Sequence, residues 1–212
     1  MFGDEIRQQL QNIIGGALLE GQNDHCTQIR NLLIKSFGTS KTVKSEFESK
    51  AIIKEKQVSF LRSYAEKIGL LLTSLPKDNE YLTRGGEAEI YLARHKVNVI
   101  KINDAVYYAT WTEYFNSLIL HNLLFPNTNY TLLGFMEHKG IFCAVLEQPF
   151  VEGQQARLED IKELLTFNGF INSKRQDYYN EEFGLILEDM HDENVISREN
   201  VLFFIDTVFY IV

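Results

Sequence analysis

The last part of the chain, from Leu185 to Val212, gathers side chains that could bind a metal ion and a phosphate. Asp189 and Asn194 stand five residues apart in the segment DMHDEN, and Asp206 follows an apolar run twelve residues after Asn194. In a tight loop, that spacing can aim a carboxylate at a substrate hydroxyl and an amide oxygen at a metal. Mg²⁺ takes oxygen ligands and usually combines few protein groups with phosphate oxygens. The pattern favours a magnesium–phosphate site, and a solvated turn is the plain alternative.

Three features upstream could serve the same chemistry. Gly85 and Gly86 precede a predicted strand, so backbone amides could come close to an anion there. Lys101 lies in the apolar stretch VNVIKI, where a lysine is costly unless it meets an acid or a phosphate. An edge-strand lysine pointing to solvent is the alternative. Glu113, in the next predicted helix, is an available carboxylate partner for Lys101.

Residues 1–75 are predicted to be helical. Apolar residues recur at helical spacing in three stretches, DEIRQQLQNII, CTQIRNLLIKSFG and SFLRSYAEKIGLLLTSL, and these stripes are expected to form core. Gly38 suits a C-terminal cap, and the pair Gly15–Gly16 suits a kink. The polar stretch from Gly38 to Lys50 is either a linker or a surface helix, and Pro76 closes the region.

After Pro76 the pattern changes to short strands and single helices. EAEIYLARHKVNVIKI predicts a hairpin that turns near His95–Lys96, and YTLLGFMEHKGIFCAVLEQPFV predicts a second hairpin around Lys139–Gly140. A helix that ends at Pro126 is predicted between them, and a short helix that ends at Gly169 follows. INSKRQDYYNEEFG is expected to be a polar loop, and the final stretch short strands around a loop. This order predicts an α+β fold with a small antiparallel sheet.

Composition disfavours several classes of function, although the net charge does not exclude a local basic site. The net charge is −8 and the pI is near 5.2, which disfavours nucleic-acid binding because that depends on Lys and Arg at phosphates. Cys26 and Cys143 are far apart, are expected to be buried thiols, and fit a reducing cytosol. No secretory leader and no apolar run of membrane-spanning length is seen, so a cytoplasmic protein with no membrane partner is expected.

The order of the chemical features resembles the protein-kinase-like fold. The chain contains, in this order, a glycine turn, a strand lysine, a helix glutamate, the spacing D-x-x-x-x-N and an aspartate at the end of a later strand. The segments GGEAEIYL, LEQPFVEG, YYNEEFGLILEDMHDENV and FFID look closest to the small kinase domains found in phage-type polyvalent proteins. They are also similar to aminoglycoside phosphotransferase-like enzymes. The resemblance covers about residues 57–212.

The resemblance implies a division of the chain into three parts. Residues 1–75 would be a helical extension, and residues 76–150 an N-lobe with a small antiparallel sheet and one helix. Residues 151–212 would form a minimal C-terminal lobe.

The resemblance also implies ATP and Mg²⁺ as cofactors. Gly85 and Gly86 would begin the phosphate-covering loop, and Lys101 would hold the ATP phosphates and pair with Glu113. The hinge that meets adenine would include Glu147, Gln148 and Phe150.

The same resemblance assigns the acidic residues near the end of the chain. Asp189 would orient the acceptor hydroxyl and take its proton, while Asn194 and Asp206 would bind Mg²⁺. The acceptor, a protein or a small molecule, is not identified by the sequence.

Several positions depart from the kinase pattern. The full G-x-G-x-x-G is missing, Leu187 stands where a histidine is usual, and Thr207-Val208 follows Asp206 in place of Phe-Gly. Only six residues follow Asp206, so the usual peptide-docking platform is expected to be missing. Three consequences remain open. Residues 1–55 could replace part of the missing platform, the acceptor could be something other than a peptide, or activity could be lost.

Three other functions remain open from the sequence. The first is a degenerate kinase that binds nucleotide, or nothing, and acts as an interaction module. The second is a metal-dependent hydrolase that uses acids and a histidine of one segment: Glu188, Asp189, His191, Asp192 and Glu193. No H-x-H or H-E-x-x-H spacing supports that hydrolase. The third is a structural scaffold whose acids only solvate a turn.

Overall fold

A computed structural model describes residues 2–21, 23–38, 50–75, 79–86, 88–93 and 95–212. Five α-helices and twelve strands occur among these residues, and every strand pair is antiparallel. The α+β class predicted from the sequence is therefore confirmed. The chain divides into two compact units, which are called the five-stranded unit (residues 21–115 and 130–150) and the two-sheet unit (residues 1–20, 116–129 and 151–212).

In the described part of the chain before the first strand there are three helices, as the helical spacing predicted. They are α1 (Asp4–Ile14), α2 (His25–Phe37) and α3 (Lys50–Ile68). Asp24 caps α2, since its side chain accepts the Thr27 N–H at 2.9 Å. Gly38 ends α2 with φ 75°, a conformation that glycine adopts without strain, so the predicted cap is confirmed. Gly15 ends α1 where a kink was expected.

The five-stranded unit is built on one sheet with the strand order β1-β2-β3-β5-β4. Its strands are β1 (Asn79–Arg84), β2 (Ala88–Ala93), β3 (Asn98–Asn103), β4 (Thr131–His138) and β5 (Ile141–Pro149). Both predicted hairpins are present, β2–β3 and β4–β5. Lys139 and Gly140 both have positive φ, at 53° and 80°, as a two-residue hairpin turn of type I′ requires.

Helix α4 (Trp111–Leu124) follows β3, and its first residues pack in the five-stranded unit. The ring of Trp111 lies 5.5 Å from that of Phe142 and 6.0 Å from that of Phe135, both edge-on. The rings of Phe135 and Phe142 stack at 5.1 Å. Burial of these rings, each at most 5% exposed, ties the start of α4 to β4 and β5.

The two-sheet unit contains α1, α5 (Leu158–Phe167) and seven short strands. One sheet has the order β11-β10-β6, from β6 (Gln154–Gln155), β10 (Val195–Arg198) and β11 (Val201–Phe204). The other has the order β12-β9-β8-β7, from β7 (Ile171–Lys174), β8 (Asp177–Asn180), β9 (Leu185–Glu188) and β12 (Val208–Ile211). Phe125 and Phe204 stack at 4.1 Å in its core.

Two sequence predictions need correction. INSKRQDYYNEEFG is not a loop, because β7 and β8 form a hairpin there with Arg175 in the turn at φ 50°. Strand β1 was not predicted as an element of its own. Its residues are exposed on both faces, apart from a half-buried Asn79, so they carry no alternation of apolar and polar residues. The polar stretch 39–49 and the closing Pro76 lie outside the described residues.

Among the described residues, no helix combines the length and the apolar character needed to cross a bilayer.

Candidate functional site

Lys101 lies inside the sheet, on β3 between β2 and β5. It is 5% exposed, so the alternative of a solvent-facing lysine on an edge strand is wrong. Its Nζ is 3.3 Å from the hydroxyl of Tyr130 and 5.2 Å from the centre of that ring. A lysine side chain beside an aromatic ring gains from the cation–π attraction.

The glycine turn joins β1 to β2. The Gly85 N–H donates to the carbonyl of Ala88 at 2.9 Å, which closes the turn. A methyl group added to the Cα of Gly86 would lie 2.6 Å from the hydroxyl oxygen of Tyr107. Such an approach is far inside van der Waals contact, so Gly86 must lack a side chain for Tyr107 to lie against it.

Glu113 is the first acidic residue of α4, and both of its carboxylate oxygens are engaged. Lys50 Nζ donates to one oxygen and the backbone N–H of Ala109 to the other, each at 3.0 Å. The ion pair that Glu113 makes is therefore with Lys50 of α3, where Lys101 was the expected partner. Because the Lys50 side chain is 53% exposed, this pair contributes little to stability.

Helix α3 also fixes the start of α4 from within the five-stranded unit. The buried amide of Gln57 donates to Thr112 Oγ1 at 2.9 Å and accepts the Trp111 N–H at 2.7 Å. Lys54 Nζ donates to the carbonyls of Ala105 and Tyr108, at 2.6 and 2.8 Å. Neither Gln57 nor Lys54 was singled out from the sequence.

The expected hinge is the end of β5. Gln148 is 1% exposed and pairs with Val99 of β3. The Phe150 N–H donates to the carbonyl of Val97 at 2.8 Å, and Pro149 has no N–H to offer. An adenine that used the Phe150 N–H would have to break that bond.

Asp189 stands at the bend that follows β9, in the two-sheet unit. Its φ is 64°, in the left-handed region where Asp is tolerated better than most residues. Its backbone N–H donates to Asp177 Oδ1 at 3.1 Å. Its side chain is 63% exposed and so open to a substrate.

Asn194 holds the loop that Asp189 begins. Its Nδ2 donates to the Asp189 carbonyl at 2.9 Å and to Asp189 Oδ2 at 3.2 Å. The opposite end of the amide, Oδ1, is the atom with which Asn194 could bind a metal ion. The Asn194 carbonyl accepts the Ile205 N–H at 2.9 Å, which extends the β10–β11 hairpin by one pair. Asp206 is the next residue, so the hairpin brings the two expected magnesium ligands to one end.

His191 is a residue to which the kinase resemblance assigned no role. Its Nδ1 accepts the Glu193 N–H at 3.2 Å, and its Nε2 lies 3.3 Å from Asp189 Oδ1. The imidazole therefore links the short 3₁₀ turn at Asp192–Asn194 to the Asp189 carboxylate. The H-x-x-N spacing next to Asp189 was the only signal for it.

Glu188 precedes Asp189 in an acidic surrounding. Its pKa is raised, first by burial and then by the charges of Asp177 and Asp189. The same crowding of negative charge would attract a divalent cation. Within the described part of the chain, however, no three His, Cys, Asp or Glu side chains converge as a metal cluster. The hydrolase alternative therefore gains no support.

A second ionic cluster surrounds Glu89 on β2, in the five-stranded unit. Its carboxylate accepts from Lys139, from His138 Nε2 at 2.9 Å and from the Tyr91 hydroxyl at 3.1 Å. Arg84, the last residue of β1, lies 3.7 Å away. Glu89 thus joins the strand before the glycine turn to the β4–β5 turn.

Comparison with known proteins identifies one family. The model of the family described as "Serine/Threonine/Tyrosine Kinase found in polyvalent proteins" matches residues 54–212. A comparison with curated proteins and one with solved structures each gave no match. The family match begins at Lys54, so it includes Gln57, which binds the start of α4, and Lys54, which binds the loop before it.

Proposed function

The chain belongs to this family of kinases found in polyvalent proteins, and we propose that it transfers the γ-phosphate of ATP to a hydroxyl acceptor. A family of this kind implies a nucleotide and a divalent metal. The proposed lobe division is the one expected from the sequence, with an N-lobe at residues 76–150 and a small C-lobe at 151–212.

The observation that carries the proposal is the buried Lys101. A lysine is seldom buried this deeply, at 5% exposure on a central strand, and a triphosphate is a ligand that its amino group could bind. We assign Lys101 to the ATP phosphates, with Gly85 and Gly86 in the turn that covers them. Glu147, Gln148 and Phe150 are the proposed hinge, with backbone groups other than the Phe150 N–H facing adenine. In the structure Glu113 pairs with Lys50, and its carboxylate has lone pairs that could also accept from Lys101.

We assign the chemistry of transfer to the Asp189 loop. Asp189 would accept a hydrogen bond from the acceptor hydroxyl, orient it and take its proton as the phosphate transfers. Asn194 would present Oδ1, and Asp206 its carboxylate, to Mg²⁺, an oxygen donor set that suits this hard cation. The bound ion would neutralise charge on the phosphates. His191 would hold the Asp189 carboxylate in place.

Thermal unfolding with and without Mg²⁺ and ATP tests the proposal. A ligand at a hundred times its dissociation constant adds about 2.7 kcal/mol of stability, which raises the melting temperature by several degrees. We expect this shift in the wild type and its loss in Asp206→Asn. Asp192→Asn makes the same chemical change within the loop and should keep the shift.

The other outcomes separate the alternatives. A shift without phosphate transfer to any acceptor would select a nucleotide-binding module without catalysis. No shift at millimolar ATP would contradict the proposed function.

A further inference from the structure

Hydrogen bonds hold the backbone of the loop between β3 and α4 on both sides of Tyr107. Asn103 Oδ1 accepts the Ala105 N–H at 2.7 Å, and the Tyr108 N–H donates to the Ala105 carbonyl at 3.1 Å. Lys54 Nζ binds the carbonyls of Ala105 and Tyr108 together. Ala105 is fixed in the left-handed region at φ 55°. This loop therefore presents Tyr107 in a defined position.

Tyr107 itself is exposed while its hydroxyl contacts the glycine turn. The residue is 55% exposed, although its neighbour Tyr108 is only 3% exposed. A methyl group on Gly86 would collide with the Tyr107 hydroxyl and would lie 3.4 Å from two of its ring carbons. The side chain thus ends at the turn proposed to cover the ATP phosphates.

We propose that the hydroxyl of Tyr107 is an acceptor of the phosphate, so that the protein phosphorylates itself within one chain. The proposal rests on the phosphotransferase function above and names its first acceptor as a tyrosine phenol. An acceptor held in place by its own chain needs no encounter with a second molecule, which removes the entropic part of the barrier.

The reaction is balanced with ATP as the only co-reactant. The phenolic oxygen of Tyr107 forms a bond to the γ-phosphorus, and the bond from that phosphorus to the β,γ-bridging oxygen breaks. The bridging oxygen keeps both electrons and leaves as ADP. The phenolic proton is lost to a base or to water, and nothing is oxidised or reduced.

Phosphorylation of Tyr107 would change the structure at the glycine turn. A phosphate group adds a charge of about −1.5 to −2 at neutral pH and three acceptor oxygens. It does not fit between Tyr107 and Gly86 at their present separation, so the side chain must swing away from the turn. Arg84, directly before the turn and with a side chain 63% exposed, offers a guanidinium to the new phosphate.

Intact mass and peptide mapping after incubation with Mg²⁺ and ATP test the proposal. We expect one phosphate on Tyr107, formed at a rate per molecule that stays constant over a tenfold dilution of the protein. Tyr107→Phe should lower phosphate incorporation at least tenfold. Tyr81→Phe is the matched control, because Tyr81 is also 55% exposed but lies on β1 away from Gly86. That variant should incorporate phosphate as the wild type does.

The possible failures are distinguishable. Phosphate on other residues or on an added acceptor, with Tyr107 unmodified, would overturn the acceptor assignment and leave the phosphotransferase function standing. A rate per molecule that falls in proportion to dilution would overturn transfer within one chain. If neither ATP binding nor transfer to any acceptor is detected, the proposed function fails and the acceptor assignment fails with it.

Discussion

Gln57 caps helix α4 from a distance of 54 residues in the sequence, since its Oε1 accepts the backbone N–H of Trp111 at 2.7 Å. The first N–H groups of a helix have no partner within the helix and need one from outside. The other end of the same amide binds Thr112 Oγ1. Gln57 is 1% exposed, so the whole arrangement is removed from water. Gln57 thus helps to fix the start of the helix that carries Glu113, together with Thr110, whose Oγ1 accepts the Glu113 N–H at 3.1 Å.

Gln57→Leu is expected to destabilise the protein by about 1–3 kcal/mol, because it leaves a buried N–H and a buried hydroxyl without their partner. Urea unfolding followed by circular dichroism measures this loss. Gln28→Leu is the control, since the Gln28 side chain is exposed on α2 and donates to the Asn23 carbonyl at 3.0 Å. Equal free energies of unfolding of the two variants would show that the Gln57 cap does not contribute to stability.

Sequence reasoning predicted the elements around the candidate site better than the contacts within it. Alternation along VNVIKI gave the strand and the face of Lys101, but its burial depends on β3 having β2 and β5 as neighbours. Glu113 was expected to have Lys101 as its cationic partner. The partner is Lys50, 63 residues away on a helix whose role no local pattern indicated.

The contacts of Thr207 are a second example of tertiary contacts that the sequence did not predict. Thr207 was noted only as a departure from Phe-Gly after Asp206, and it is 6% exposed. Its hydroxyl lies 2.7 Å from His121 Nδ1, and His121 Nε2 lies 2.8 Å from the Thr128 carbonyl. Since a carbonyl only accepts, Nε2 carries the proton and Nδ1 accepts from Thr207. A buried network of this kind depends on tertiary packing, which a linear pattern does not contain.

The lowered pKa of Glu89 predicts that part of the free energy of unfolding is lost at acidic pH. Its pKa is lowered from 4.5 to about 2, first by the hydrogen bond from Lys139 and then by those from His138 and Tyr91. A carboxyl whose pKa is lower in the folded state stabilises that state above pH 4.5 and loses this contribution as the pH falls towards 2. Glu89→Gln should therefore be less stable than the wild type at pH 7, and the difference should shrink between pH 4.5 and 2.

Unfolding in urea at a series of pH values measures this dependence. Glu80→Gln on β1 is the control, because Glu80 is exposed. A difference between Glu89→Gln and the wild type that is constant from pH 7 to pH 2 would contradict the ionic role of Glu89.

The two cysteines are expected to be inert in the folded protein. Cys26 is 1% and Cys143 4% exposed, and burial is the main cause that raises the pKa of each thiol to about 12. Because the thiolate is the reactive form, neither should react with a disulfide reagent at pH 8 until the protein unfolds. Absorbance of the released thiol measures this, with Ser59→Cys on the exposed face of α3 as a reactive control. Rapid reaction of native wild type would mean that these strands and helices open readily.

Substitution of Asp189 is expected to distinguish nucleotide binding from phosphate transfer. Its side chain is 63% exposed, and its carboxylate oxygens contact the side chains of Asn194 and His191. Removal of so exposed a side chain should leave the fold and nucleotide binding intact. Loss of a general base typically lowers the rate by about 10²–10⁴-fold. Asp189→Ala should therefore keep the melting-temperature shift with Mg²⁺ and ATP and lose phosphate transfer. Glu193→Ala, an exposed acid of the same loop, should keep both. If Asp189→Ala transfers phosphate as fast as the wild type, the base lies elsewhere, and the D-x-x-x-x-N spacing only shapes the turn.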